Sequence, residues 1–378
     1  MSQEMQKVDF LVIGAGIAGA SVSYWLAPHG RVAILERESQ PGYHSTGRSA
    51  ALYMASYGSE QVRALSLASR DFFDHPPKGF AEHALLTPRG ALMVAGSDQM
   101  DALNDHWSMI SAMGTGASRL TAEEVLALIP VFRPEKIAGG VLEPDAMDMD
   151  VHAIHQGFLR GARQHHAQIQ CNTEVLGIQR DESGWLVKTS TGIWHAAVVI
   201  NAAGAWADQI GHMAGTQSIG LQPCRRSAFT FKPQIESHFE HWPATIGASE
   251  DWYFKPDAGV ILGSPANQDP VEPQDVQPEE LDIALAISRI EEVTTLTVRR
   301  PSHTWAGLRS FVSDKGLVGG FDPQAEGFFW VAAQGGYGIQ TSPAMGEACA
   351  SLVRGLGVPE HIARFGLTAD MLSPKRLY

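Results

Sequence analysis

Positive charge is scarce in this 378-residue chain: 28 Lys and Arg stand against 41 Asp and Glu, for a formal net charge of −13. No basic run breaks that balance, and a nucleic-acid partner, whose phosphates demand clustered cations, is not expected. Cysteine is equally sparse. Cys171, Cys224 and Cys349 form no C-x-x-C pair, so neither a disulfide framework nor a zinc site is expected, only buried or inert thiols. Long apolar runs are missing too. The stretch at residues 10–20 falls short of the roughly 20 residues of a membrane span, and it lacks the basic flank and cleavage site of a signal peptide. The expected location is therefore cytoplasmic, with at most a peripheral membrane contact through an electron acceptor. There is no G-x-S-x-G elbow, hence no expected serine hydrolase. His152, His155, His165 and His166 have no carboxylate partner in the pattern and read as surface histidines. The acids of "DAMDMD" lack the glycine and glutamate of a calcium loop and read as a polar turn. No metal site is expected.

What is present is punctuated structure. With 44% hydrophobic and 18% charged residues the chain reads as globular, in two or three domains at roughly 100–200 residues each. "DFLVIGAG" reads as a buried strand, Ile17 to Leu26 as a helix, and "RVAILE" as a second strand, one βαβ unit. Gly14, Gly16 and Gly19 fit G-x-G-x-x-G between strand and helix. The helix N-terminus then faces a pyrophosphate with its partial positive charge. Glu36 follows Gly16 by 20 residues at a strand end, where a carboxylate accepts ribose hydroxyls and repels a 2′-phosphate. NADP is disfavoured on that ground. A third βα unit does not follow. Its place is taken by the polar, small-residue stretch "SQPGYHSTGRSAALYMASYG", and a second glycine cluster, Gly335, Gly336 and Gly338, precedes a C-terminal helix. Both features favour FAD over NAD, because the flavin end must be gripped by a distant segment.

Further helices are expected at Gln61–Phe73, Thr121–Leu128, behind the capping box Thr121/Glu124, Val151–His165 and Glu279–Val293. Alternating or apolar runs such as "ALLTPRGALMVAG", "RRSAFTFKP" and "DWYFKPDAGVILG" read as strands of a second sheet. The expected architecture is α/β (α+β): a discontinuous Rossmann-like cofactor domain over residues 1–50, 140–215 and 305–378, and a substrate domain with a mixed or antiparallel sheet over 51–139 and 216–304.

Six segments, "VIGAGIAGAS", "ERESQPGYHSTGRSA", "VVINAAGAWA", "LQPCRRSAF", "WAGLRSF" and "AAQGGYGIQTSPAMGE", together resemble the D-amino-acid oxidase superfamily of flavoproteins, within it most of all the bacterial D-arginine dehydrogenases. The resemblance spans essentially the whole chain. It implies noncovalent FAD held by Gly14, Gly16, Ile17, Ala18 and Gly19, with Glu36 on the ribose and Arg37 and His44 near the adenine. Ser45, Thr46, Ser49 and Ala50 would surround the pyrophosphate and ribityl, and Val175, Ala203 and Gly204 would close the adenosine end. Gly307, Gly335, Gly336, Tyr337, Gly338, Ile339, Gln340 and Thr341 would meet the flavin ring. Arg226 and Arg309 would grip a substrate carboxylate, a task suited to a bidentate guanidinium, with Tyr57 and Tyr253 closing over it; Gly336 and Gln340 would complete the catalytic set.

The implied reaction is oxidation of a D-amino acid to an imino acid and, after hydrolysis, a 2-oxo acid and ammonia, with electrons passing to oxygen or a quinone-type carrier. Where the D-arginine enzymes carry a pocket glutamate this chain has Ala91. Leu52 and Met54 replace a histidine and a threonine, and Ile246 stands beside them. The expectation is thus a neutral, hydrophobic side chain rather than D-arginine. A secondary-amine oxidase, a tRNA-modifying flavoprotein and an idle FAD-binding module stay open as alternatives.

Overall fold

The computed structural model describes residues 5–235 and 238–378, so the first four residues of the expected cofactor domain lie outside the described residues. The strand Gln6–Ile13 is the centre of an eight-stranded sheet. It pairs in parallel with Val32–Leu35 on one side and Ile193–Asn201 on the other. Gln168–Gln170 adds in parallel beyond Val32–Leu35, and Phe328–Ala332 pairs in parallel with the far end of Ile193–Asn201. Parallel strands covered on both faces read as continuous apolar runs, which is why "FLVI", "VAIL" and "FFWVA" were legible as strands.

Helices Ile17–Leu26, Val151–Gln164 and Gly338–Val353 pack together on one face. Their contacts are close because glycines stand at the crossings. A Cβ at Gly346 would lie 2.8 Å from Ser21, and one at Gly161 would lie 2.2 Å from the Tyr24 ring. The Glu60–Asp74 helix joins this layer against Gly338–Val353 and brings Phe72 into an aromatic cluster with Tyr24, Phe80 and Phe158.

A second, nine-stranded sheet carries the other domain. It is antiparallel except where Ala244–Gly247 runs parallel to Ala91–Ala95. Its longest ladder joins Gln222–Phe231 to His303–Phe311 over nine residue pairs. Both expected sheets are therefore present. Three segments sit across the expected partition. Gly139–Glu143 and His303–Phe311 belong to the second sheet, and the Glu60–Asp74 helix packs into the core of the first domain. The expected boundaries at 140 and 305 fall inside strands, and each of those strands pairs wholly within the second sheet.

Several local readings are corrected. "DAMDMD" begins in a turn at Asp145 but goes on as strand; Met147–Met149 is the middle strand of a three-stranded sheet, and Asp148 is tied to Arg89 and Lys255. His155 is not at the surface but is buried, with its Nε2 2.8 Å from the carbonyl of Ala15. The helices Met100–Ser111 and Ala207–Met213 were not expected. All three cysteines are free thiols, Cys224 and Cys349 buried. Among the described residues no cluster of side chains could hold a metal, and no helix is long and apolar enough to cross a membrane.

Candidate active site

The glycine turn after Gln6–Ile13 is set by backbone crowding. Gly14 has φ +99°, and a Cβ there would lie 2.5 Å from the carbonyl of Ala202; at Gly19 it would lie 1.9 Å from the carbonyl of Gly14. Only glycine lets the helix start this close to the sheet. The first turn carries no acid, and Gly16 and Ile17 line a cleft together with Thr46, whose Oγ1 accepts from Ile17 N–H at 3.0 Å.

Glu36 is buried at the next strand end. It accepts from the N–H groups of Ala15 and Glu38 at 2.9 and 3.0 Å, and it retains free lone pairs toward the cleft. The Arg37 guanidinium stacks 4.3 Å from the Trp206 ring, and the His44 ring lies 4.7 Å from it. His44 is steadied by Glu38 at 2.9 Å. Val175, Ala203 and Gly204 complete this flat-walled end.

Ser45 and Thr46 lead into a middle compartment lined by Ser49, Ala50, Gly307, Gly335, Gly336, Gly338 and Ile339. The Ser45 hydroxyl is spent on the carbonyl of Leu308 at 2.6 Å. Gln334 lines the same space with a buried Nε2 that has no partner among the described residues. A buried orphan donor needs an acceptor, and a flavin ring supplies one.

The trough ends in a cavity of about 460 Å³. Arg226 and Arg309 lie on neighbouring strands, with Arg226 opposite Gly307 and Arg309 opposite Cys224, so both face the same side of the sheet two positions apart. Neither has an acidic partner among the described residues. Arg226 donates to the carbonyl of Asn267 at 2.5 Å; Arg309 donates to the Tyr57 hydroxyl at 3.2 Å. Burial and then the like charge of Arg309 lower the pKa of Arg226. Burial opposes the charge on Arg309 as well, but the Tyr57 and Tyr253 phenols outweigh it and raise its pKa. Two adjacent guanidinia without a carboxylate make a site for one. Gly336 lies against them: a Cβ there would be 2.8 Å from Arg309 Nη1. Tyr57 stacks edge-on to Tyr337 at 4.9 Å, and burial, then Tyr57, pushes the Tyr337 phenol up to about 12. Tyr57, Tyr253, Leu52, Met54 and Ile246 all line the cavity.

Other expected residues are placed elsewhere. Gln340 is buried, and its amide is committed to Met54 N–H and C=O at 3.2 Å and to Ser66 Oγ at 2.7 Å. Its side chain secures the loop before Tyr57 and does not face the trough. Thr341 bonds back to the carbonyl of Tyr337, and Ala18 and Gly19 pack inside the helix layer. Ala91 is buried behind Met54 and Ile246; Met93, two residues on, is the residue of that strand that meets the cavity. Gln334, Trp206, Met93, His106, Met109 and Lys255 were not anticipated as lining residues; of the two acids, Glu82 and Glu250, that could stand in for the missing pocket glutamate, Glu250 lines the cavity. Trp206 stood within "NAAGAWA" and could have been read there, whereas His106 and Met109 ride on the unexpected Met100–Ser111 helix.

A glycine-cradled turn at one end of a trough and a paired-cation cavity at the other make the layout of a dinucleotide site with room for a second molecule beyond it. Residues 9–352 match the family described as FAD dependent oxidoreductase, and the chain belongs to it. Glycine oxidase of Geobacillus kaustophilus is 24% identical over 96% of this chain and 97% of its own length. The crystal structure of glycine oxidase from that organism superposes with a TM-score of 0.83 at 23% identity, covering 97% of this chain and 99% of its own. L-proline dehydrogenase from P. horikoshii gives 0.82 at 21% identity over 99% and 98%. FAD is the cofactor, and the Glu36 lone pairs, the glycine cradle and the orphan Gln334 amide fit it.

Proposed function

We propose that the protein oxidises the Cα–N bond of a D-amino acid, preferring neutral, hydrophobic side chains, to an imino acid that water hydrolyses to a 2-oxo acid and ammonia. The pair Arg226/Arg309, half-buried beside the flavin compartment with no acidic partner among the described residues, carries this reading. FAD, bound noncovalently, supplies the hydride acceptor.

The rest is positioning. Arg309 and Arg226 bind the substrate carboxylate, Tyr57 and Tyr253 close over it, and the Cα hydrogen is thereby aimed at the flavin within near-attack distance. The ammonium sheds a proton to water before hydride leaves. Leu52, Met54, Met93, Met109 and Ile246 offer an apolar wall to the side chain. A cationic side chain would meet Lys315 in the same cavity, Lys255 there being paired with Asp148, with Glu250 as the acid lining it. That supports neutral substrates over D-arginine and D-lysine.

A secondary-amine substrate is the second reading, favoured by the kinship with glycine oxidase and with the sarcosine oxidase beta subunit of Rhizobium meliloti, 27% identical over 67% of this chain. Incubation with D-leucine, sarcosine and L-proline, with substrate loss followed for each and 2-oxo acid and ammonia assayed for D-leucine, separates the two. Ammonia and 4-methyl-2-oxopentanoate from D-leucine support the first; turnover of sarcosine or L-proline alone sinks it.

A further inference from the structure

Glu143 ends the strand Gly139–Glu143 and is 2% exposed. Its register partner is Ala91, so it projects from the same face of the sheet as Ala91 and Met93, the face toward the substrate cavity. The neighbourhood is otherwise apolar: Met54, Ala91 and Ala146 form a small buried cluster there. A carboxyl in such a place is costly unless its oxygens are used. Oε2 accepts from the Ser56 hydroxyl, and the N–H groups of Ser56 and Ala55 also favour the charged form; Oε1 has no partner.

Everything Glu143 holds belongs to one short segment. Residue 54 of that segment is clamped by Gln340 from the opposite side, Ser56 lines the cavity, and Tyr57 follows with its hydroxyl on Arg309. Past Tyr57, the Gly58 carbonyl accepts from Arg63 and Ser59 caps the Glu60–Asp74 helix. The loop is therefore pinned at both ends, and between the pins the Glu143 carboxylate takes the Ser56 hydroxyl from the substrate sheet.

We propose that Glu143 is a positioning residue of the substrate site, its ionised carboxyl holding Ala55 and Ser56 so that Tyr57 stays closed over Arg309. The inference rests on the reading of Arg309 and Tyr57 as a carboxylate grip. Burial raises the pKa of Glu143, Asp145 pushes it the same way, and the Ser56 and Ala55 donors oppose them. The other groups facing it are Tyr53, whose phenol feels the Glu143 charge, and Arg70, which stands between Tyr53 and Asp145. Because the folded pKa lies above the usual carboxylate range, the ionised, loop-holding form is complete only at higher pH. It is lost as pH falls through that raised value. Grip on a carboxylate should weaken on the acid side accordingly.

The test uses the FAD-loaded protein, amide hydrogen exchange without ligand, and benzoate binding followed by the flavin's visible absorbance between neutral pH and the point where benzoate itself begins to protonate. In Glu143→Ala the Ala55 and Ser56 amides should exchange about tenfold faster or more, on the scale of one lost charge-assisted hydrogen bond, while the Met54 amide held by Gln340 is unchanged. Benzoate affinity should fall by a similar factor. Glu143→Gln keeps the shape and one acceptor, so it should bind benzoate with intermediate affinity and without the acid-side decline of the wild type. Unchanged exchange at Ala55 and Ser56 in Glu143→Ala, or an acid-side decline that persists in Glu143→Gln, overturns the proposal. Should Glu143→Ala not fold, Glu143→Gln and Ser56→Ala decide by the same two readouts. Failure of the wild type to bind benzoate at all would count against the carboxylate grip, and the exchange result would still decide Glu143.

Discussion

Replacing Arg309 with methionine removes the guanidinium while keeping the length and much of the volume of the side chain. Among the described residues Arg309 has one neutral partner, the Tyr57 hydroxyl, and no acid to compensate, so its charge is open to a substrate carboxylate. A bidentate guanidinium–carboxylate contact comprises two charge-assisted hydrogen bonds at roughly 1.5–3 kcal/mol each, or about 3–6 kcal/mol. Arg226 stays in place and recovers part of that, so the lower bound is the working figure. About 3 kcal/mol corresponds to a loss on the order of 150-fold in kcat/KM. FAD content should hold, because Glu36 and Gly16, which would hold the ribose and pyrophosphate, line a part of the trough that Arg309 does not enter. The assay is kcat/KM for D-leucine alongside the flavin-to-protein absorbance ratio of the purified variant. Arg309→Lys should fall between the two, since a point charge lacks the fork. A kcat/KM within about threefold of wild type at full flavin content would remove Arg309 from the site and refute the reasoning.

Arg226→Met should cut kcat/KM in the same direction but less, about tenfold to a hundredfold, since its Nε is already spent on Asn267; steady-state kinetics check it. Gly19→Ala places a Cβ 1.9 Å from the Gly14 carbonyl, so the purified variant should lack FAD and melt lower, read by absorbance and thermal denaturation. Gln340→Leu strips Met54 and Ser66 of buried partners at about 2–3 kcal/mol, so Tm should drop and KM rise through a looser Tyr57 segment. An unchanged Tm in that variant would mean the amide contributes nothing to the loop.

The cofactor end of this molecule was legible because local backbone constraints write themselves into residue types. Gly14 and Gly19 are there since a Cβ would strike main chain, and Glu36 ends a strand whose apolar run announces it. Arg226 and Arg309 could be picked out because a cation inside an apolar strand run asks for a ligand. What stayed hidden depends on distant partners. Gln340 lies in a glycine-rich motif that suggests the flavin, yet its amide turns to Met54, some 286 positions away in the chain. His155 looked like half of an exposed pair until the glycine turn folded over it. Glu143 has no motif; its role arises from the register that sets it opposite Ala91. The Met100–Ser111 helix buries only Leu103 and Ile110, too few apolar positions to stand out, and it took His106 and Met109 with it.

The central claim is that the cavity beyond the flavin holds an amino acid by its carboxylate and takes hydride from its Cα. The direct measurement is anaerobic titration of the FAD-loaded protein with matched D- and L-forms of leucine, methionine, phenylalanine and arginine, and with sarcosine, followed by the bleaching of the flavin's visible absorbance. Fast, saturable bleaching by the D-forms of leucine, methionine or phenylalanine, with D-arginine slower, is the predicted result. Bleaching by none of the D-amino acids would contradict it.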